Sequence, residues 1–400
     1  MTGAAAGVRY IDDAERRARL GARHALARPV ADPVAAARAV VALHATDPAG
    51  VYVAAAARTG LGPTAHTARA LYDDRVLLRM LGIRRTMFIA PLDLVPVMQA
   101  AATEAVAVVQ RTRYEKLIAE AGGGDGAWLR QVEEATLAAL RARGSATAAQ
   151  LSTDVPELRF AFPAPPGKKY GGQSSITTWV LLLLSTRGLI VRGRPAGTWV
   201  SSQYVWWPAE TWFADHGPES PHRAVLDTAD AQVELVRRYL AAFGPATATD
   251  IAWWTGWAGR TVKAALARLQ PVEVEVATGP ALVLAQDVDP VPPPEPWVAL
   301  LPALDATPMG WSQRDFYLGG HKAALFDTMG NVGPTVWADG RIVGGWAQRP
   351  DGAVVFSLLE DVGAETAARI ADRAEALTGW MDGVRIVPRF RTPLEKELAG

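Results

Sequence analysis

Two octets decide the fold: Gly144-Ser145-Ala146-Thr147-Ala148-Ala149-Gln150-Leu151 and Gly244-Pro245-Ala246-Thr247-Ala248-Thr249-Asp250-Ile251. They align without a gap, and each follows a run of helical composition, predicted as helices over Trp128–Arg143 and Ala231–Phe243. The first octet reads as a turn and short helix. A Pro/Gly-rich loop through Lys168-Lys169-Tyr170-Gly171-Gly172 then leads to a helix over Ser174–Arg187, closed by Gly188 as a C-terminal glycine. Strands at Leu189–Arg192 and Thr198–Val205 follow. After the second octet come a short helix over Asp250–Thr255, a longer one over Gly259–Leu269, and strands at Val272–Ala277 and Ala281–Leu284. Helix, short helix, longer helix and β-hairpin is the order of a winged helix, and here it occurs as an internal repeat.

On the N-terminal side, helices are predicted at Ile11–Ala27, Asp32–Leu43 and Thr64–Tyr72. Another opens at Pro48, with the Asp47 carboxylate as its cap. A β-like run at Arg85–Ala90 makes this segment a degenerate third copy. Leu92–Ala121 is helical, and Gly122-Gly123-Gly124 breaks it. On the C-terminal side, Pro292-Pro293-Pro294 marks a linker. Strands follow at Val298–Leu301, Thr335–Trp337, Arg341–Trp346 and Ala353–Leu358, then a helix at Ala364–Thr378 and a strand near Val384–Pro388. The expected fold class is α+β, with tandem winged-helix units followed by a β-rich domain. The expected domains are 1–124, 125–228, 229–290 and 291–400.

Four hundred residues, half of them hydrophobic and a fifth charged, describe an ordinary folded protein of more than one domain. There is no cysteine, which excludes disulfides, iron–sulfur clusters and thiolate zinc sites. The six histidines have no metal-ligand spacing, so neither metal nor cofactor is expected. Met1–Arg9 lacks the apolar stretch of a signal peptide. The apolar runs Val51–Ala57 and Trp179–Leu184 are too short to cross a bilayer, and a cytoplasmic location is expected. No heptad pattern calls for an obligate oligomer, so a monomer is expected.

Net charge is zero, yet Leu158–Ala209 contains no Asp or Glu while holding Arg159, Lys168, Lys169, Arg187, Arg192 and Arg194. A neutral chain with one basic face can still bind phosphates. The first hairpin carries Arg192 and Arg194, then Ser201, Ser202 and Gln203, placed as wing residues would be to touch a DNA backbone. Clustered aromatics, Tyr204-Val205-Trp206-Trp207 and Trp253-Trp254-Thr255-Gly256-Trp257, are read mainly as packing.

Four segments carry a family resemblance. AAARAVVALHATDPAGVYVAAAAR (Ala35–Arg58), RRTMFIAPLDL (Arg84–Leu94), LLPALDATPMGW (Leu300–Trp311) and GPTVWADGRIVGGW (Gly333–Trp346) together resemble the winged-helix DNA glycosylases typified by AlkZ and YcaQ. The resemblance implies a DNA repair enzyme that acts on alkylated or adducted double-stranded DNA and holds the lesion in a concave basic cradle. It places the active site at Leu43-His44-Ala45-Thr46, where the family has Leu-Gln-x-Gln or Leu-Gln-x-Asp. His44 and Thr46 therefore stand where family members carry Gln with Gln or Asp, and Asp47 adjoins them. Arg58, Arg84 and Arg85 are the matching candidates for the DNA backbone, although a buried Arg–Asp pair, such as Arg58 with Asp47, fits Arg58 equally well.

The chemistry suits these residue types. Alkylation at N7 or N3 makes a purine cationic and a good leaving group, so the enzyme must stabilise the sugar cation and place a water. His44 can take a proton from that water, Thr46 can hold it, and Asp47 can stabilise the sugar. No lysine lies in the segment, which favours a monofunctional hydrolase over a Schiff-base lyase. A purely structural reading has His44 cap the preceding helix, and Thr46 and Asp47 the next. A non-catalytic DNA-binding regulator would prefer a sequence rather than damage, and a protein-interaction scaffold would not bind DNA at all.

Overall fold

The computed structural model describes residues 8–162, 174–219 and 225–400. One topology occurs in it three times. In the first segment, helix α1 (Asp13–Arg23) and helix α2 (Pro33–Ala39) precede strand β1 (Leu43–His44). Helices α3 (Pro48–Arg58) and α4 (Thr64–Tyr72) follow, then strands β2 (Leu77–Leu81) and β3 (Met87–Pro91). The sheet order is β1-β3-β2, so the first strand pairs with the last. After helix α5 (Glu104–Glu120), the second segment runs α6 (Gly126–Arg143), β4 (Ala146–Thr147), α7 (Ala148–Asp154), α8 (Thr177–Thr186), β5 (Ile190–Pro195) and β6 (Tyr204–Pro208). Its sheet again joins first strand to last, with Ala146 opposite Trp206. The third runs α9 (Thr228–Phe243), α10 (Ala248–Thr255), α11 (Gly259–Leu269) and the hairpin β7 (Val272–Val276) and β8 (Gly279–Val283). Ala246 bridges Leu282 in place of the first strand.

The octets sit at the same point of each repeat, and the physical reason is a cap. Thr147 accepts from the Gln150 backbone N–H while the Gln150 side chain accepts from the Thr147 N–H, and Thr247 does the same with Asp250. Both reciprocal caps satisfy helix-end donors that would otherwise be orphaned. Asp47 holds the corresponding place before α3, accepting from Ala49 N at 3.1 Å.

The C-terminal segment is a four-stranded antiparallel sheet in chain order: β9 (Val298–Leu301), β10 (Thr335–Ala338), β11 (Arg341–Gln348) and β12 (Val354–Leu358). It packs on α12 (Ala364–Met381). The strand expected near Val384–Pro388 is absent. Gln348 at the end of β11 instead donates to Val384 O and accepts from Ile386 N, so one side chain replaces a ladder. A further helix, α13 (Pro393–Ala399), follows, with Leu394 against Gly345 on β11.

The main core runs from Leu20 to Leu394 and joins the first, third and C-terminal segments, whereas Tyr114–Trp206 encloses a core of its own. The first hairpin does not stand free. Its loop residue Trp199 packs on Tyr52 of α3 at 5.1 Å and edge-on to Trp380 of α12 at 5.7 Å between ring centres. Among the described residues, Leu92–Glu120 is one helical run long and apolar enough to span a membrane. Val95, Val97 and Met98 of that run lie in the main core, and its C-terminal half carries Arg111, Arg113, Glu115, Lys116 and Glu120.

Candidate active site

β1 is the edge strand of its sheet, with His44 opposite Phe88. Residues two apart on an extended chain share a face. His44 and Thr46 accordingly both line one cavity of about 410 Å³, together with Phe88, Trp254, Leu304, Met309, Asn331, Arg84, Arg85, Arg389 and Phe390. That volume is in the range of small-molecule sites, roughly 300–1,000 Å³. Among the described residues no Asp, Glu or Lys belongs to the lining.

The cavity wall is strained. Arg84 and Arg85 are consecutive residues in the left-handed region (φ 52° and 56°), and Leu304 has φ 60°. Val41, between the lining residues Val40 and Ala42, has φ 67°, a conformation that a β-branched side chain opposes. Such strain concentrates at functional sites, where surrounding structure holds it in place.

His44 is half-buried, its ring edge-on to Phe88 at 5.7 Å, and its nitrogens have no hydrogen-bond partner among the described residues. Burial pulls its pKa down to about 4; Asp305 opposes the shift, and Arg84 and Arg79 add to it. The imidazole is therefore neutral at pH 7, free to accept a proton or a hydrogen bond. Asp47 is placed differently. It is the N-cap of α3 and lines a separate crevice with Gly50, Trp346 and Pro388. Burial raises its pKa, while backbone N–H groups of Ala49, Arg389 and Gly50 pull the other way. Sequence reading put it beside His44 and Thr46 as a sugar-stabilising group, but the turn into α3 points its carboxylate at the helix end.

The cationic candidates separate into groups. Arg84 and Arg85 are exposed at the cavity. Arg84 stacks on Trp253 at 4.5 Å, and Arg85 donates to Gln110 at 3.0 Å. Gly256, which ends α10 with φ 74°, gives Arg84 its room: a Cβ there would lie 3.0 Å from Arg84 Cγ. Arg58 lies in the interior instead of at a DNA backbone. It is wholly buried and paired to an equally buried Asp305, so its partner is neither DNA nor Asp47. Arg192 packs over Trp206 at 4.5 Å, and burial together with Arg79 lowers its pKa to about 10. Arg194 is bound bidentately by Asp73. Gln203 is exposed in that loop, and Lys168 and Lys169 lie outside the described residues.

Two cations at the site were not anticipated. Arg314 stacks on Trp253 from 4.9 Å, and Arg389 is exposed at the cavity edge. Among the described residues none of Arg84, Arg85, Arg314 and Arg389 has a carboxylate partner. A signal for Arg389 was in the sequence: Gly383–Leu394 holds Arg385, Arg389 and Arg391 and no acidic residue.

The cavity thus brings together a neutral imidazole, a hydroxyl and arginines without carboxylate partners among the described residues. The chain belongs to the AlkZ-like DNA glycosylase family, whose match covers residues 37–380. Among solved structures it is similar to the Streptomyces sahachiroi DNA glycosylase AlkZ, with a TM-score of 0.69 and 17% identity over 94% of this chain and 98% of that one. No curated protein sequence matches it.

Proposed function

We propose that this chain hydrolyses the N-glycosidic bond of alkylated purines in double-stranded DNA, as a monofunctional glycosylase. The observation that carries the reading is the meeting of His44 and Thr46 in one cavity with Arg84 and Arg85 at its edge. The three repeated segments are read as winged-helix units, with domains at 1–124, 125–228 and 229–290 and a β-rich domain at 291–400. The active segment is the junction between strand β1 and helix α3 of the first unit. The chain acts as a monomer on the damaged duplex.

In the proposed reaction the cationic base departs with the electron pair of the C1′–N bond. A water oxygen bonds to C1′, and its proton passes to the neutral His44 imidazole. Thr46 orients the water. Because no carboxylate lines the cavity among the described residues, the sugar cation is stabilised by the water and by the phosphates of the DNA rather than by Asp47. Among the described residues the lining also holds no lysine, which supports hydrolysis over a Schiff-base route. Arg84, Arg85, Arg314 and Arg389 are assigned to the phosphates. The test is base release from a duplex carrying one N7-alkylguanine by wild type, His44→Ala and Thr46→Ala. Release by wild type and its loss in both variants supports the reading. DNA binding without release from any alkylated duplex overturns it in favour of a non-catalytic DNA-binding protein.

A further inference from the structure

Arg79 lies on β2, and in register across the sheet come Ile89 on β3 and Leu43 on β1. These three share one face, while Met80, Phe88 and His44 share the other, which faces the cavity. The Arg79 side chain is 6% exposed. It crosses two inter-strand gaps of about 4.8 Å each, and its guanidinium donates to the carbonyl oxygen of Ala45, the residue between His44 and Thr46.

The bond falls where β1 leaves the sheet. Ala45 N still donates to Met87 O at 2.8 Å, the last ladder bond before the chain turns to the Asp47 cap. Beyond it the Ala45 carbonyl has no strand donor, and a buried carbonyl needs one. Arg79 supplies it. The expense of keeping Arg79 inside is plain: its Nε has no hydrogen-bond partner, and among the described residues it has no carboxylate partner. Its guanidinium packs over Tyr204 at 5.0 Å, near Tyr72 and the like-charged Arg192. A buried guanidinium with no carboxylate in direct contact is costly. Asp47 acts on it only at a distance and Tyr72 hydrogen-bonds to it, while its backbone bond goes to the one carbonyl flanked by both candidate catalytic side chains.

We infer that Arg79 is a positioning residue for base excision: its bond to the Ala45 carbonyl fixes the backbone that presents His44 and Thr46 to the lesion. This rests on the glycosylase reading given above. Arg79 does not touch the cavity's contents, so its loss acts on the chemical step and spares DNA binding. Misplacement of a catalytic pair by about 1 Å costs on the order of a hundredfold in rate.

The test compares wild type with Arg79→Met, which keeps the chain length without a donor, and Arg79→Lys, which can still donate to the carbonyl. Single-turnover base release, affinity for undamaged duplex, melting temperature, the NMR titration of the His44 ring and the carbonyl carbon shift of Ala45 are measured on each. The charged groups acting on that ring are Asp305, Arg84 and Arg79. Expected are a rate about 10- to 100-fold lower for the methionine variant, unchanged duplex affinity and a lysine variant lying between. The Ala45 carbonyl shift should lose its hydrogen-bonded value in the methionine variant and keep it in the lysine variant; the His44 titration separates out the effect of lost charge, which acts on that ring directly. If Arg79→Met does not fold, Arg79→Gln, too short to span two strands, is read by the same measures. A folded variant with wild-type rate overturns the inference. Should wild type itself release no base, the glycosylase reading fails separately. An Ala45 carbonyl carbon shift unchanged in the methionine variant, or lost there and not restored by lysine, then overturns the positioning role; loss of its hydrogen-bonded value in the methionine variant with recovery in the lysine variant upholds it.

Discussion

Arg58 Nη1 and Nη2 donate to the two carboxylate oxygens of Asp305 at 2.9 and 2.8 Å, and neither side chain is exposed to solvent. Arg58 ends α3, eleven residues after the Asp47 cap that ties α3 to the His44–Thr46 segment, and Asp305 sits beside Leu304 in the cavity wall. Arg58 also donates to Thr307 Oγ1, which contacts His24 Nδ1 at 2.9 Å, and His24 Nε2 faces Ala242 O at 3.1 Å. Since only a protonated Nε2 can donate to that carbonyl, Nδ1 is the acceptor of the Thr307 hydroxyl. One network thus joins α1, α3, α9 and the cavity wall.

Removing one partner of a buried ion pair leaves the other charged and unsatisfied. Arg58→Met and Asp305→Asn are each expected to destabilise the fold by about 3–5 kcal/mol, read as a lower urea midpoint. The double variant Arg58→Met/Asp305→Leu should recover part of that loss. If the single variants melt like wild type, the pair is not a structural tie.

Acid should weaken the same region. Burial lowers the His24 pKa from 6.5 to about 3, with Arg58 adding to the shift and Asp305 opposing it. The folded state therefore keeps His24 neutral while the unfolded chain takes up a proton below pH 6.5. Stability contributed by the neutral form is complete above pH 6.5 and is lost as pH falls toward 3. His44 acts in the same sense down to about 4, and so does Asp305, whose pKa is lowered below 3.8 by Arg58 against the effect of burial. Melting temperature is expected to fall steadily from pH 6.5 to 4.5, and more shallowly in His24→Gln. A flat wild-type profile over that range would contradict a buried neutral His24.

Much of this was legible because it depends on local signals. The octets announced their capped helices through Thr147 and Thr247, and β9 follows from the apolar run Val298–Leu301. Asp47 was legible as a cap from Asp-Pro. Its catalytic candidacy came from adjacency to His44 and Thr46, which an extended chain does not convert into a shared face. The fates of Arg58, Arg192 and Arg194 were not local. Each depends on a residue more than a hundred positions away, such as Asp305 for Arg58 and Asp73 for Arg194. The same holds for Arg389, which reaches the cavity, and for Arg314, which stacks on Trp253 with Arg84, both through the C-terminal segment.

The geometry separates the three candidate catalytic residues by experiment. His44→Ala is expected to lower base release by about 10²–10⁴-fold if it takes the water's proton, with duplex affinity little changed. Thr46→Ala should cost less. Asp47→Ala should behave as a lost cap, reducing stability by about 0.5–2 kcal/mol, and Asp47→Ser should restore both stability and rate. A large rate loss in Asp47→Ser at wild-type stability would return Asp47 to the chemistry.

Salt dependence distinguishes arginines that meet phosphates from those held within the fold. Each phosphate contact adds about 0.9 to the slope of log affinity against log salt. Arg84→Ala, Arg314→Ala and Arg389→Ala remove cations without carboxylate partners from around the cavity, so each is expected to weaken duplex binding and reduce the slope by about one. Arg194→Ala removes a cation already engaged by Asp73, and its slope should match wild type. Loss of the Arg194 pair costs little stability either, since it is solvent-exposed. The assignment fails if the Arg194 variant loses slope while the three cavity variants keep it, because DNA would then lie along the first hairpin and not across the His44 cavity.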